Sequence, residues 1–284
     1  MCGICGIYNF DTQNIQESKL KVMNDQMINR GPDSEGFYID KNFGMAMRRL
    51  SIIDVERSNQ PIQNINKDIS VIFNGEIYNY IELKEELKKE NIQFKTEGDT
   101  EVILKLYEKL GEQFVKKLIG MFSICIFDKN KKKILIYRDR FGIKPLYYHI
   151  SQNSFHFSSS LFSLKKVLNL KKSQDSFFLY LCFNYFPSQK SAYENVNSLL
   201  PGNFIKIENN KIKIEKYYDP YKEKNNMGAE KYDHKIFKKI MNNSISINLR
   251  SDVNLGLMMS SGIDSSIIVN ESNKLKKKLE SLYS

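Results

Sequence analysis

"MCGICGIYNF" (residues 1–10) opens the 284-residue chain, and the fold turns on how its second residue is read. A cysteine attacks as its thiolate and therefore needs a base or an electropositive setting. Histidine is the usual base. The chain has only three, His149, His156 and His234, each at a strand edge or in a linker rather than in a loop shaped for catalysis. Position 2 offers another base. If Met1 is removed, Cys2 carries a free α-amine whose ordinary pKa of about 7.7–8.0 suits proton transfer near neutrality. Nucleophile and base then belong to one residue, and Gly3 lets a substrate approach the backbone closely. Taken alone, a cysteine at position 2 is more simply an accident. Cys2 and Cys5 as a metal pair lack the second pair that a four-ligand zinc site requires. Cys5 alternates within the strand-like "GICGIYNF" and is read as core-facing.

The rest of the composition narrows the class. Four cysteines, at 2, 5, 125 and 182, form no disulfide framework, so a reducing, cytoplasmic setting is expected. Hydrophobic residues make up 41% of the chain, enough for a real core and against general disorder. No apolar run approaches bilayer length and no basic-then-apolar segment opens the chain, so neither a membrane span nor a signal peptide is expected. The net charge of +10 raises nucleic acid as a partner. Its lysine runs, "KNKKK" (129–133) and "KLKKK" (274–278), carry no interleaved aromatics and read as solvated surface, so no nucleic-acid partner is expected.

Strand-like stretches fill the first two thirds: 70–73, 121–128, 132–139, 145–150 and 154–158. Two amphipathic helices interrupt them. One covers 80–91, apolar at Ile81, Leu83 and Leu87. The other covers 99–111, apolar at Val102, Ile103, Leu106 and Leu110, with Gly111 as C-cap. Strands and helices in clumps predict a layered α+β domain over 1–215. A polar linker is expected at 216–230 and a second segment at 231–284. That segment holds a helical pattern (Ile236, Phe237, Ile240, Met241, Ile245), a buried-strand candidate "LGLMM" (255–259), the loop "SSGIDSS" (260–266) and a lysine-rich helix. A single strand leaves both edges unpaired, so 231–284 is expected to be a truncated, poorly packed piece of a larger unit.

Three further motifs keep company with Cys2. "NGE" (74–76) follows a strand; its ordinary reading is hairpin punctuation. Its functional reading is an oxyanion hole from the Asn74 amide and the Gly75 N–H. "RRLSII" (48–53) offers Arg49 as a carboxylate clamp. Asp99, in "EGDTEV", is either a helix N-cap or, with Glu76, a ligand for a substrate ammonium. A thiolate, an oxyanion hole, a carboxylate clamp and two acids suit a free amino acid with a side-chain amide, and glutamine is the candidate.

"MCGICGI", "NRGPDSEG", "RRLSIID", "FNGEIYNY", "EGDTEVIL" and "RDRFGIKPLYY", in order and with compatible spacing over roughly residues 2–220, resemble the glutamine-hydrolysing asparagine synthetase B family. The resemblance implies a class II glutamine amidotransferase domain with the four-layer α/β/β/α sandwich of N-terminal-nucleophile hydrolases. It implies that Cys2 forms a glutamyl thioester and releases ammonia. Arg49 would hold the glutamine carboxylate with the backbone of Leu50, Ser51, Ile52 and Ile53 nearby. Glu76 and Asp99 would hold its amine, and Asn74 with Gly75 its oxyanion. Two positions depart from the family, which usually has histidine where this chain has Met47 and often where it has Asn29.

"LGLMMSSGIDSS" reads as strand, Ser/Gly loop and helix start, which aims backbone N–H groups at an anion; an ordinary serine-rich N-cap is the plainer alternative. It resembles the SGGxDS pyrophosphate loop of ATP-pyrophosphatases, implying an incomplete α/β segment of the adenine nucleotide alpha hydrolase type. By that resemblance Ser260, Gly262 and Ser265 cradle pyrophosphate, Asp264 is the metal residue placing Mg²⁺, and the Met258 backbone lies near adenine. Ser261 replaces the loop's first glycine, at a cost of about 1 kcal/mol if that position needs positive φ. The expected activity is glutamine-dependent asparagine synthesis through a β-aspartyl-AMP, with this chain performing the glutaminase half. The expected partners are glutamine, aspartate and ATP, with a homodimer as the candidate assembly. The alternatives are a ligase amidating another carboxylate, such as one on a polysaccharide sugar, and a non-catalytic binding module.

Overall fold

The computed structural model describes residues 1–224, 233–275 and 281–283. In chain order the strands begin β1 (Gly3–Asn9), β2 (Ser34–Asp40), β3 (Phe43–Arg49), β4 (Ile62–Gln63), β5 (Ile69–Ile77) and β6 (Gly120–Asp128). They continue β7 (Lys133–Arg138), β8 (Tyr147–Ile150), β9 (Ser154–Ser158), β10 (Val196–Ser198), β11 (Asn203–Glu208) and β12 (Lys211–Lys216). The helices among them are α1 (Glu17–Asp25), α2 (Tyr80–Lys89), α3 (Asp99–Leu110), α4 (Leu161–Val167) and α5 (Gln174–Phe183). Two six-stranded sheets result, in the orders β10-β8-β9-β1-β3-β2 and β12-β11-β7-β6-β5-β4. All their pairings are antiparallel.

Three cores make four layers. Ile4, Met45, Met47, Ile72, Cys125 and Ile136 fill the space between the sheets. Cys5, Ile7, Leu20, Met23, Ala46 and Leu164 join the first sheet to α1 and α4. Phe73, Leu83, Leu87, Val102, Leu106 and Tyr137 join the second sheet to α2 and α3. Side chains alternate across a strand, so a strand covered on both faces must be apolar at nearly every position. On β7, Ile134 and Ile136 enter the inter-sheet core while Leu135 and Tyr137 enter the helix-side core. This is the α/β/β/α sandwich expected from sequence, and it explains why "SICIF" and "ILIY" run without polar breaks.

The helices differ in detail from expectation. Ile81 is exposed, and Lys84 is buried on the inward face of α2, donating to the Thr96 carbonyl at 2.7 Å and to Glu97 at 2.6 Å. A lysine can lie on an apolar face when its ammonium reaches such partners. Gly111 closes α3 with φ 57°, a backbone conformation that glycine adopts without steric cost. Helix α5, absent from the sequence reading, leaves Phe177, Phe178 and Leu181 exposed. Of the four thiols, Cys5 and Cys125 are buried, Cys2 is half-buried and Cys182 is exposed.

Beyond β12 the chain stays attached through Tyr217, whose N–H donates to the Gly202 carbonyl at 2.9 Å and whose hydroxyl donates to the Arg138 carbonyl at 2.8 Å. Then follow α6 (Pro220–Lys224), α7 (His234–Asn248), β13 (Gly256–Met258), α8 (Ile263–Lys274) and β14 (Ser281–Tyr283). Residues 225–230 of the expected linker, 231–232 at the start of the expected second segment, and 276–278 of the second lysine run lie outside the described residues. Two expectations are corrected. Strand β13 is not solitary, because it pairs in parallel with β14, Leu257 opposite Leu282. Nor is it buried: Met258 is 88% exposed. A parallel strand is buried only when helices cover both sheet faces, and a two-stranded ladder flanked by α7 and α8 does not achieve that.

Candidate active site

Cys2 immediately precedes β1, and its surroundings come from three loops. Its Sγ accepts the Leu50 N–H at 3.3 Å and lies 3.5 Å from the Leu50 carbonyl. Burial pushes the thiol up from its ordinary value, while the Leu50 hydrogen bond and then the N-terminal ammonium pull it back. The Cys2 carbonyl accepts from Arg30 Nε at 3.0 Å. In the same "NRGPD" stretch, Gly31 lies so close to β3 that a Cβ would stand 2.4 Å from the Arg48 carbonyl carbon. Asp33 accepts the Ser51 N–H at 2.7 Å. The motif therefore pins the chain start against residues 48–51.

The opposite wall is β5. The sequence reading ended a strand at Phe73 and gave "NGE" the alternative of a turn, whereas β5 runs through to Ile77, with Asn74 opposite Ser123 and Gly75 opposite Phe122 on β6. The Asn-Gly pair stays in a strand because it pairs with β6, and position 75 is glycine because the neighbouring backbone leaves no room for a side chain. A Cβ at position 75 would lie 2.0 Å from the Met121 carbonyl oxygen. Asn74 is fully buried; its Nδ2 donates to Ser159 Oγ at 3.3 Å, and its Oδ1 has no partner among the described residues. A buried amide atom left unpaired is costly, and such groups in native folds call for a reason.

Two carboxylates and one ammonium follow along this wall. Asp99 is the first residue of α3, with Gly98 in the cap position, and it accepts the Ile77 N–H at 3.1 Å. Burial pushes its carboxyl up to about 7, with the neighbouring Glu76 adding to the rise. Burial also raises Glu76, against the opposing pull of Lys144. Lys144 is 4% exposed and is lowered by burial, with Glu76 and Cys2 acting the other way. It reaches the site because "RDRFGIKP" folds around its own side chains. Asp139 accepts the N–H groups of Phe141, Ile143, Lys144 and Phe122 at 2.9–3.2 Å. Arg138 holds the carbonyls of Gly142 and Lys144 at 2.8 and 2.9 Å. Lys144 Nζ sits 3.4 Å from the Met1 Sδ.

Arg49 occupies the third side. Its Nη1 donates to the Val55 carbonyl at 2.8 Å and to Asn59 at 3.3 Å, and its Nη2 to the Ile53 and Asp54 carbonyls at 3.1 and 2.7 Å. All four terminal N–H directions thus serve the loop after β3, so a carboxylate arriving here must exchange with loop carbonyls or take the Nε edge.

These groups enclose a cavity of about 220 Å³. Drug-sized ligands fill roughly 300–1,000 Å³, so a single small metabolite is the better match. Cys2, Arg49, Leu50, Ile52, Ile53, Asn74, Gly75, Glu76 and Asp99 all line it, whereas Ser51 does not, its N–H being turned to Asp33. Sequence reasoning missed Lys144, Gln60 and Thr100, which line it too. Gln60 ties the wall together, accepting the Phe73 N–H at 2.6 Å and donating to Thr100 at 3.2 Å. Their signal was faint, since each contributes one polar side chain from a loop or helix end. None of the three histidines lines the cavity.

The second expected site lies elsewhere. Ser260, Gly262 and Ser265 form a strand–loop–helix turn in which Ser265 Oγ lies 3.0 Å from Ser260 Oγ and the Gly262 N–H donates to Ser260 Oγ at 3.2 Å. Ser261 and Asp264 are exposed beside it. Among the described residues no group of three or more His, Cys, Asp or Glu side chains is placed to hold a metal.

A four-layer sandwich with a thiol at the head of its first strand defines the N-terminal-nucleophile hydrolase class. The chain belongs to the glutamine amidotransferase domain family, whose model matches residues 1–218, and a second model, asparagine synthase, matches residues 237–281. It is 36% identical to asparagine synthetase [glutamine-hydrolyzing] 1 of Bacillus subtilis over 99% of this chain and 45% of that protein. It is 31% identical to asparagine synthetase B [glutamine-hydrolyzing] of Escherichia coli K12 over 94% of this chain and 44% of that protein. The chain thus spans about half the length of the curated relatives it matches. In fold it is similar to the glutamine phosphoribosylpyrophosphate amidotransferase of B. subtilis, with a TM-score of 0.58 at 15% identity over 100% of this chain and 65% of that one. No described helix is long and apolar enough to cross a membrane.

Proposed function

We propose that this chain is the glutaminase part and the beginning of the synthetase part of a glutamine-dependent asparagine synthetase. One observation carries the reading: a single small cavity gathers Cys2, Asn74, Gly75, Glu76, Asp99 and Arg49 from four separated stretches. With Met1 removed, the α-amine of Cys2 takes the thiol proton. The thiolate then attacks the side-chain carbonyl carbon of glutamine, forming the C–S bond and moving the carbonyl π pair onto oxygen. Asn74 and Gly75 stabilise that oxyanion. Collapse breaks the C–N bond, the α-ammonium returns its proton to the leaving nitrogen, and ammonia departs. Water hydrolyses the thioester, giving glutamate and the free thiol. Glu76 and Asp99 hold the substrate ammonium and Arg49 its carboxylate.

In the whole protein the ammonia would amidate an aspartate activated by ATP as β-aspartyl-AMP, in the cytoplasm. Ser260, Ser261, Gly262 and Ser265, with the Met258 backbone, would hold the nucleotide, and Asp264 the Mg²⁺. When bound, ATP would supply the leaving group that makes a carboxylate reactive. The strand–loop–helix course of 256–266 suits an anion because loop and helix-end N–H groups cluster there.

Glutamate release from glutamine by the purified chain, with Met1 removal verified by intact mass, tests the glutaminase reading. Release is expected, and its absence from correctly processed protein would sink it. A second expectation concerns pH. Asp99 must ionise to hold an ammonium, and its carboxyl stands at about 7. Because that value is raised, the free fold keeps the proton below about pH 7 and loses stability as pH rises through it. KM for glutamine should therefore climb below pH 7, approaching about tenfold per unit well under it. Asp99→Asn should raise KM at pH 8 and flatten the profile. A parent KM that stays constant from about pH 6 to 8 would show that Asp99 does not bind the ammonium.

A further inference from the structure

We propose that the turn Arg250–Ser251–Asp252 is a positioning element for the glutamine site, a claim that rests on the glutaminase reading for its kinetic consequence. The turn lies in the segment that follows the sandwich, yet it grips the sandwich at two places. Asp252 Oδ2 accepts the Asp54 N–H at 2.7 Å, and the Asp252 N–H donates to the Ile52 carbonyl at 3.0 Å. Arg250 forks the Glu82 carboxylate on α2, with one arm at 2.6 Å, and also donates to the Tyr78 carbonyl just past β5. A planar guanidinium paired with a carboxylate fixes orientation as well as distance.

What the turn holds is the loop that lines the cavity with Ile52 and Ile53. Asp54 adopts φ 47°, a left-handed conformation that a non-glycine residue keeps only when its surroundings enforce it. Three sets of bonds do so, the first being its own carboxylate, which accepts the N–H groups of Arg57 and Glu97 at 3.3 and 2.7 Å and the Ser58 hydroxyl at 3.2 Å. From the cavity side Arg49 binds the carbonyls of residues 53, 54 and 55. From the outer side Asp252 binds the N–H of 54 and the carbonyl of 52. The two grips are not equivalent once substrate arrives. A carboxylate competing for Arg49 withdraws donors from the loop carbonyls, and the outer grip then keeps Ile52 and Ile53 against the ligand. Asp252 therefore acts on glutamine affinity through the loop, without touching glutamine. Thermodynamic linkage makes the effect mutual: glutamine binding steadies the turn that leads into β13.

The test compares the parent chain with Asp252→Ala, Asp252→Asn and Arg250→Gln, each checked for a folded circular dichroism spectrum. Amide hydrogen exchange of the 50–58 region is measured first, because it needs no activity. Exchange should quicken by about tenfold in Asp252→Ala and return towards the parent in Asp252→Asn, which keeps a side-chain acceptor. Arg250→Gln moves it in the same direction and substitutes for Asp252→Ala should that variant fail to fold. KM for glutamine should rise by about tenfold in Asp252→Ala with kcat within about twofold, the pattern of lost binding rather than lost chemistry. Unchanged exchange and unchanged KM in a folded Asp252→Ala overturn the proposal. If the parent releases no glutamate, the glutaminase reading fails, and the exchange result alone then decides whether the turn holds the loop.

Discussion

Glutamate release should fall by about 10⁴–10⁶-fold in Cys2→Ala, the scale seen when a covalent nucleophile is deleted from a working catalytic set. The same loss is expected in wild-type sequence purified with Met1 retained. The reason is chemical: with Met1 present the nitrogen of residue 2 is an amide with no basic lone pair. The Cys2 thiol, raised by burial, then has the carbonyl and N–H of Leu50 as its hydrogen-bond neighbours among the described residues. The geometry adds a steric reason. Met1 itself lines the cavity, with its thioether 3.4 Å from Lys144 Nζ. Separating processed from unprocessed protein by mass and assaying each checks both points. Full activity in the unprocessed form would rule out the Cys2 α-amine as base and leave the role to the Met1 amine or to Lys144, whose residues both line the cavity.

Asn74→Ala should lower kcat by about 10²–10³-fold with a much smaller change in KM, the signature of an oxyanion donor. Asn74→Asp, which keeps the shape but replaces the amide donor by a carboxylate, should be at least as damaging. The expectation rests on geometry: Asn74 is buried and lines the cavity with Cys2, and its Nδ2 gives one N–H to Ser159 Oγ at 3.3 Å and carries a second. That second N–H is a donor in the wall of the cavity that holds the thiol, as an oxyanion requires; the unpartnered Oδ1 is an acceptor and cannot serve it. Steady-state kinetics on folded variants decides it. A higher KM at unchanged kcat would make Asn74 a binding residue instead.

The fold was largely written in local pattern. The strands 120–128 and 133–138 and the helices 80–89 and 99–110 lie within a few residues of where periodicity set them. What escaped was set by tertiary contact. The Asn-Gly pair continues a strand because β6 pairs with it residue by residue, a tertiary fact that no turn propensity encodes. Lys84 is buried because Thr96 and Glu97 lie across from it. The "LGLMM" strand is exposed because burial of a parallel strand depends on what covers it, not on its own residues. For the candidate site, motif order brought nearly every expected lining residue to one cavity. The engagement of Arg49 by carbonyls four to six residues along is a property of a loop path, and the spacing of "RRLSII" carries no trace of it. Lys144 escaped for a similar reason, since only the folding of "RDRFGIKP" around Arg138 and Asp139 turns it inward.

The graded burial of the four sulfurs gives the molecule a built-in set of chemical clocks. Cys182 meets bulk solvent on α5, Cys2 is half-buried in the wall of the cavity, and Cys5 and Cys125 are sealed in different cores of the sandwich. A thiol reagent therefore reads three events on one polypeptide: surface encounter, access to the substrate chamber, and loss of the layered interior. Since Cys5 sits beneath α1 and α4 while Cys125 lies between the sheets, the order in which the last two become reactive would report whether the helical skin peels away before the sheets part.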